Sequence, residues 1–488
     1  MATTTTTVAP WFTVSPSDTL HDEPRTTDPE LKLPQLPSLA IIIISNLLCQ
    51  ISFFIIVSSS NDYAIYLGGN STFSGVVIGI PTVFSAIAVV PLLRYDGGGY
   101  KVPLHVSCAA SIVGLLLYAL AYPLHYLYLI LLGRIVNGIG LSMWMYHKRY
   151  CSDPRIVGIR RRTTLASWLV MGQGVGMTLG PFAGGLLYKE VGFANKWFNG
   201  FTSPAWIMVG VWVAFWGAVH KWYKDPVDEQ PRAGNGPAEQ AAEDIPMTVM
   251  SEAGKTPSEA TPHPSLASRH HSVPASPVPS IPPPAPQRLS SSQWAVSVCM
   301  CWFAMTCFFI LGAWEANIPV FGSSSISNLH WTPFSSGNYI ALGGLTTFPF
   351  LLLNVIYARR YQDRTTLAIG SGLGMASLIV FVALLEASDD RVHAAAVVVC
   401  WWAVALGFNL ASTVTLSLLS KQTPGDWNNW TSLAIQYSNF TGRVTGAVWG
   451  GSGVAVGMAN YVGLEIALVG IGGVLFTSFW KDLKAKVG

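Results

Sequence analysis

A helix that crosses a bilayer needs about 20 consecutive, mostly apolar residues, and this chain supplies twelve such stretches. They fall at 38–58, 70–93, 102–122, 124–146, 163–187, 203–222, 293–320, 338–357, 366–387, 392–419, 430–455 and 459–480. Helices rather than strands follow, because each backbone N–H and C=O in lipid must be paired within its own segment. Only 11% of the 488 residues are charged and 51% are hydrophobic, whereas a soluble domain carries roughly 25% charged residues. Much of the surface therefore faces something other than water. A net charge of +3 is too small to suggest nucleic acid as a partner.

The stretches divide six and six. Residues 1–37 are polar and rich in Pro and Thr, without the basic start and apolar core of a signal peptide. They read as a disordered cytosolic tail. Residues 223–292 include PASPVPSIPPPAPQ and few large apolar residues, the composition of a disordered linker. The expected organisation is an N-terminal six-helix bundle at 38–222, that cytosolic linker, a C-terminal bundle at 293–480 and a cytosolic tail at 481–488. Lys and Arg placement supports the count. Of the 28, 23 fall on the side of the termini, three in the opposite loops (Lys189, Lys196, Arg391), and Arg134 and Arg443 lie inside stretches. The densest cluster runs from Lys148 to Arg162. This asymmetry is the positive-inside pattern of twelve spans with both termini cytosolic, and an error of one span would invert half the loops.

Six of the seven cysteines sit in apolar runs, and Cys151 lies in a basic loop, so a disulfide framework is not expected. Cys299 and Cys301 face different sides of a helix, with no histidine beside them to complete a metal site. The chain offers neither an H-E-x-x-H metal set nor a G-x-S-x-G nucleophile. Gly97–Gly99 lacks the Lys-Ser/Thr of a phosphate-cradling loop. No enzyme activity, cofactor or metal is expected.

Mechanism is written in the glycines and in a few charges. The fifth stretch contains GQGVGMTLGPFAGG, with Gly172, Gly176 and Gly180 at every fourth residue, a flat face for close helix approach. Pro181 removes one backbone hydrogen bond and favours a bend. Helix packing is the plainer reading of such a stripe. Yet Gly176, Gly180, Pro181, Gly184 and Gly185 together match the fifth-helix motif of major facilitator antiporters, and the chain resembles that superfamily. The resemblance implies a major facilitator fold of twelve helices in two halves, an all-α membrane protein, with exchange or export by alternating access. Gly442, Gly446 and Gly450 repeat the spacing in the eleventh stretch, where pseudo-symmetry places the mate of the fifth.

Arg134, Gly138 and Gly140 in the fourth stretch resemble the family's R-x-x-x-G-x-G pattern. An Arg at membrane depth is costly and is expected to face the protein interior and find a partner. LLRYDGGGYK, with Asp96, Gly99 and Lys101, is similar to the family's loop motif between the second and third helices. Leu92 replaces its usual Gly, and Gly97 its usual Arg. That motif is associated with a charge lock on the cytosolic gate, so the departures weaken the expectation of one. The second-half counterpart, ARRYQDR, carries Arg359, Arg360, Asp363 and Arg364. Solvated loop charge is the alternative for both. Glu315 lies in the seventh stretch, a cavity-lining position in this family. Glu465 lies in the twelfth, a peripheral position there, and reads as an interfacial or packing residue. Arg134 and Arg443 against Glu315 leave about one positive charge, which favours an anion, and Arg suits bidentate recognition of phosphate or carboxylate.

A closer similarity is to the transporter portion of the SPX-type vacuolar phosphate transporters of plants and their fungal relatives. It is carried by FFIIVSSSNDYAIYLGGNSTFSGVVIGI at 53–80, GRIVNGIGLSMWMYHKRYCSD at 133–153, LTTFPFLLL at 345–353, YQDR at 361–364, VTLSLLS at 414–420 and FTGRVTGAV at 440–448. About 37 residues precede the first stretch, so control through an SPX domain is expected to be absent. The expectation is a proton-coupled, monomeric transporter of a small anion, with Arg134, Arg443 and Glu315 binding solute and Gly176–Gly185 as pivot. Efflux of drugs or secondary metabolites is the alternative, and a receptor on a transporter fold a third. Asn70 is a glycosylation sequon placed in the first outer loop. Nothing in the sequence chooses between plasma and vacuolar membrane.

Overall fold

A computed structural model describes residues 32–153, 155–225, 289–357, 362–389, 391–424 and 427–484. The tail before residue 32, most of the linker, Arg359, Arg360 and the last four residues lie outside the described residues. Among the described residues there are fourteen α-helices: α1 (Leu36–Phe54), α2 (Ser60–Tyr66), α3 (Ser71–Tyr95), α4 (Lys101–Leu124), α5 (Leu127–Leu141), α6 (Met143–Ser152), α7 (Ile159–Val191), α8 (Ser203–Trp222), α9 (Ser291–Ser323), α10 (Pro333–Tyr357), α11 (Asp363–Ala387), α12 (Ala394–Gln422), α13 (Asn428–Val456) and α14 (Met458–Ser478). Nine helical stretches among them are long and apolar enough to cross a membrane, one of them α5 and α6 taken together. The other long helices, α7, α10 and α13, pack at the junction of the two halves, where a helix screened from lipid tolerates Gly, Ser and Asn. Apolar side chains such as Val113, Val213, Leu345, Val399 and Val474 are exposed, as lipid-facing positions must be.

Two sequence boundaries shift. The first stretch was expected over 38–58, but the helix breaks after Phe54 and resumes at Ser60, carrying the rod to Tyr66. The cause is a run of β-branched residues followed by serines, Ile55-Ile56-Val57-Ser58-Ser59-Ser60, which lowers helix propensity. The fourth stretch extends to Ser152 with a local tightening at Ser142. There the backbone N–H reaches Ile139 three residues back at 3.3 Å, and the Ser142 hydroxyl donates to the same carbonyl at 2.7 Å. The start of α9 is set by a capping box. Gln293 N–H donates to Ser290 Oγ at 3.3 Å, and Ser290 N–H donates to Gln293 Oε1 at 2.9 Å.

The glycine stripes do the same job in each half. Added Cβ atoms at Gly172, Gly176, Gly180 and Gly184 of α7 would run into Asn46, Gln50, Phe54 and Ile55, one after another along the α1 rod. Those at Gly442, Gly446 and Gly450 of α13 would strike the α9 backbone at Met305, Phe309 and Ala313. Fifth-on-first packing is thus repeated as eleventh-on-seventh. The halves meet along α3 with α13 and along α7 with α10. Their closest approach is at the end bearing the 67–70 and 324–332 loops. There Gly75 and Gly79 press on Ala447 and Val444, and Gly185 and Pro181 press on Phe334 and Gly337. Thr72 and Ser452 share a hydrogen bond of 3.1 Å, and Asn61 Nδ2 donates to Ser323 Oγ at 3.5 Å. Toward the opposite end α3 and α13 flank an apolar cleft of about 620 Å³, lined by residues including Ile87, Val90, Tyr437 and Phe440, and Tyr437 Oη donates across it to the Ala86 carbonyl at 3.2 Å.

Candidate functional site

Pro81 sits inside α3 and has no N–H, so the carbonyl of Val77, four residues earlier, loses its helical partner. Arg134 Nε donates to that carbonyl at 3.1 Å. Gly138, one turn after Arg134, lets α5 approach α3 closely at Pro81, where a Cβ would meet the proline carbonyl at 2.6 Å. Gly140 presses instead on α4, and its carbonyl accepts from Ser107 Oγ at 2.7 Å. The R-x-x-x-G-x-G residues therefore hold three helices together and aim one guanidinium inward. Arg134 is 2% exposed. Its Nη1 donates to Asn137 Oδ1 at 3.3 Å, while its Nη2 and the Asn137 side-chain nitrogen have no partner among the described residues. Its partners are thus a carbonyl, an amide and a ring rather than an acid.

That ring is Phe53, at the end of α1. The Arg134 guanidinium carbon lies 5.2 Å from its centroid, and so does that of Arg443. Arg443 is also 5.2 Å from Phe54. The two guanidinium carbons are consequently no more than about 10 Å apart, twice the 5.2 Å that separates each from the shared ring. Both contacts are within cation–π range. Trp144 of α6 meets the same ring edge-on at 5.6 Å, and its indole N–H is a further buried donor with no acceptor. From the C-terminal half, Glu315 of α9 forms a two-pronged pair with Arg443 of α13: Nη1 to Oε1 at 3.3 Å and Nη2 to Oε2 in close contact. Glu315 is fully buried. The structure thus brings Arg134, Arg443 and Glu315 together at the junction of the halves, around a phenylalanine that hydropathy alone reads as one more lipid-facing residue.

The charges of the two motif loops pair inside their own halves. Asp96 accepts from Arg149 Nη1 at 2.7 Å and from Gly98 N–H at 2.8 Å. Gly97 and Gly98 have φ of 58° and 79°, so glycine in place of the family's Arg serves a left-handed turn. Gly99 is small for another reason: a Cβ there would lie 2.7 Å from the carboxylate of Asp225. Asp225 Oδ2 accepts from the backbone N–H groups of Tyr100 (2.8 Å) and Lys101 (2.7 Å), tethering the start of the linker to the N-terminus of α4. Asp153 accepts from Tyr100 Oη (2.7 Å) and from Arg155 Nη2 (2.6 Å). Burial pushes its carboxyl up, but the Arg155 and Tyr100 hydrogen bonds outweigh this and hold it below the usual range. Arg155 Nη2 also donates to the Gly98 carbonyl, and Lys32 Nζ to the Arg155 carbonyl, each at 2.7 Å. In the second half, Asp363 accepts from Lys421 Nζ (2.8 Å) and Ser417 Oγ (2.9 Å), while Arg364 donates to the Trp480 carbonyl at 3.2 Å. None of these bonds joins one half to the other, whereas Lys148 of the basic cluster does, its Nζ donating to Gln436 Oε1 at 2.9 Å.

Asn70 is exposed and caps α3, its Oδ1 accepting from Phe73 N–H at 2.8 Å. Of the interfacial and packing roles read for Glu465, its surroundings are those of packing. It is fully buried, and its Oε2 accepts from Trp314 Nε1 at 2.8 Å. Asp225 and Phe53 were not singled out in the sequence. The first lies at a linker edge with no periodicity, the second in an unbroken apolar run.

A family model described as Major Facilitator Superfamily matches residues 39–460. An MFS-type transporter of Schizosaccharomyces pombe is 27% identical over 480 residues, covering 97% of this chain and 87% of that protein. An SPX domain-containing membrane protein of Arabidopsis thaliana is 34% identical over 178 residues, which cover 36% of this chain and 25% of the plant protein. Among solved structures, a POT family transporter in complex with a thioalcohol-conjugated peptide superposes with a TM-score of 0.62 at 12% identity, over 93% of this chain and 99% of that one. At that identity the likeness speaks to fold alone.

Proposed function

The chain belongs to the Major Facilitator Superfamily and is a multi-pass secondary transporter of the membrane rather than an enzyme; on that premise we propose that it carries a small anion, with protons, by alternating access. The observation that supports the anion is the donor excess around Phe53. Arg134 Nη2, the Asn137 amide nitrogen and the Trp144 indole N–H are all donors without an acceptor, next to a second guanidinium. Buried donors left open cost about 1–3 kcal/mol each, and phosphate or carboxylate oxygens would satisfy several together.

Protons enter through the Glu315–Arg443 pair. When Glu315 takes a proton, Arg443 loses its counter-charge and becomes available to the anion. When the proton leaves, the pair re-forms and the anion is displaced. Proton and anion are therefore bound and released together. Orientation follows the same reading: α1 with α2 and α5 with α6 each act as one rod, giving twelve spans with the Lys32 end in the cytosol. The glycines from Gly176 to Gly185 serve as the hinge surface between α7, α1 and α10, and the protein acts as a monomer. Glycosylation of Asn70 belongs to this orientation, which places it outside the cytosol.

One observation favours a second reading. The cleft between α3 and α13 is lined almost wholly by apolar side chains, which suits an amphipathic organic solute and efflux. Proteoliposomes under an imposed pH gradient decide both points. Anion uptake should follow the proton gradient, and Glu315→Gln should uncouple it. Intact coupling in Glu315→Gln removes Glu315 from the proton path, and transport of apolar organic solutes alone favours the second reading.

A further inference from the structure

α9 carries two neighbouring side chains that face different helices. Glu315 turns to Arg443 on α13, and Trp314 turns to Glu465 on α14. Glu465 is as buried as Glu315, but its surroundings differ in kind. Among the described residues it forms no ion pair, and the Trp314 indole is the donor it has. Its other oxygen, Oε1, has no hydrogen-bond partner. The Tyr461 hydroxyl, one turn earlier on α14, lies beside the carboxyl and has no other partner among the described residues.

The elements packed on α14 are α11, α9 and α13. The charged residue within the span of α9 is Glu315 and that of α13 is Arg443, and the two are committed to each other. α11 contributes Phe381, 4.9 Å from the Trp314 ring. Its charged residues, Asp363, Arg364 and Glu386, sit at its two ends. On α12, Trp401 stacks on Trp314 at 6.2 Å and 14°. Glu465 therefore lies against aromatic rings, a hydroxyl and one indole N–H, with Arg443 engaged by Glu315.

A carboxylate at membrane depth without a cation is strongly disfavoured, and the neutral acid is the form such a site accepts. The neutral acid also explains the geometry. Its carbonyl oxygen takes the Trp314 N–H, and its O–H can turn to the idle Tyr461 hydroxyl, satisfying both open groups. We infer that Glu465 is a second proton site of the C-terminal half, held as the neutral acid while Trp314 covers it and releasing its proton to water when α9 shifts. In that step the indole N–H leaves Glu465, the O–H bond of Glu465 breaks and the proton passes to a water molecule, leaving a carboxylate that water hydrates. Because Trp314 and Glu315 are consecutive on α9, a rotation that separates Glu315 from Arg443 also moves the indole over Glu465. The two acids then respond to one movement.

Infrared spectroscopy of the full chain in lipid vesicles tests this without reference to any solute, and so separately from the anion reading. At neutral pH the wild type should show a protonated-carboxyl C=O band that Glu465→Gln removes and Glu315→Gln leaves in place. Trp314→Phe should shift that band by deleting its hydrogen bond, which keeps the test open if Glu465→Gln does not fold. In proteoliposomes the pH profile of transport should flatten in Glu465→Gln. Carboxyl bands identical in wild type and Glu465→Gln, a band unmoved in Trp314→Phe, or superimposable pH profiles would each overturn the inference.

Discussion

Single residues set the terms of this site, because each buried charge must be answered locally. Removing one partner of a buried ion pair costs about 3–5 kcal/mol, since the other is left uncompensated, whereas replacing both by apolar residues is near neutral. Arg443→Met alone should therefore lower thermal stability in detergent markedly, and Arg443→Met with Glu315→Leu should restore most of it. A double variant as unstable as the single one would mean that Arg443 acts through other contacts. Asp153 offers a pH test outside the spans. Its folded pKa lies below the usual value, so its contribution is complete above about pH 3.9 and is lost as pH falls through the depressed folded value. The stability gap between wild type and Asp153→Asn should hold at neutral pH and close in acid. A gap that widens in acid would contradict the assignment.

At the scale of helices, the glycine stripes carry the clearest consequence. Gly184 has no room for a Cβ against Ile55, whereas Gly210 on α8 has nothing within 4 Å. Gly184→Ala should lose about 1–3 kcal/mol from overpacking, while Gly210→Ala should gain roughly 0.5–1 kcal/mol of helix propensity. Melting temperatures of the two variants check both signs, and equal shifts would remove the packing role of the stripe. These stripes were legible in sequence because a four-residue spacing of glycines has one meaning on a helix. The break at Ile55–Ser59 was not, because hydropathy is blind to where an apolar run ceases to be helical. Arg134 was legible as a costly charge in an apolar run, but its Val77 partner was not. That carbonyl is freed by a proline in another helix, and only the fold brings the two together. Glu465 was placed at the periphery by analogy of helix position. The indole that covers it comes from α9, so its burial is a tertiary fact.

Across the whole molecule, the halves touch through small residues at one end, and toward the other they flank the α3–α13 cleft, bridged by Tyr437 Oη to the Ala86 carbonyl and Lys148 Nζ to Gln436 Oε1. An alternating-access cycle must break the Thr72–Ser452 contact. Cysteines at both positions should cross-link on oxidation and stop transport, and reduction should restore it. Unimpaired flux in the cross-linked protein would show that this end does not open. The central claim is that Arg134 and the Arg443–Glu315 pair bind an anion between the halves, and one flux measurement addresses it directly. Proteoliposomes with an imposed pH gradient are offered inorganic phosphate, carboxylates and organic cations in parallel, with wild type and Arg134→Met. Proton-driven uptake of an anion by the wild type, lost in Arg134→Met, is the expected result. Uptake of a cation, or anion flux undiminished in Arg134→Met, would contradict it.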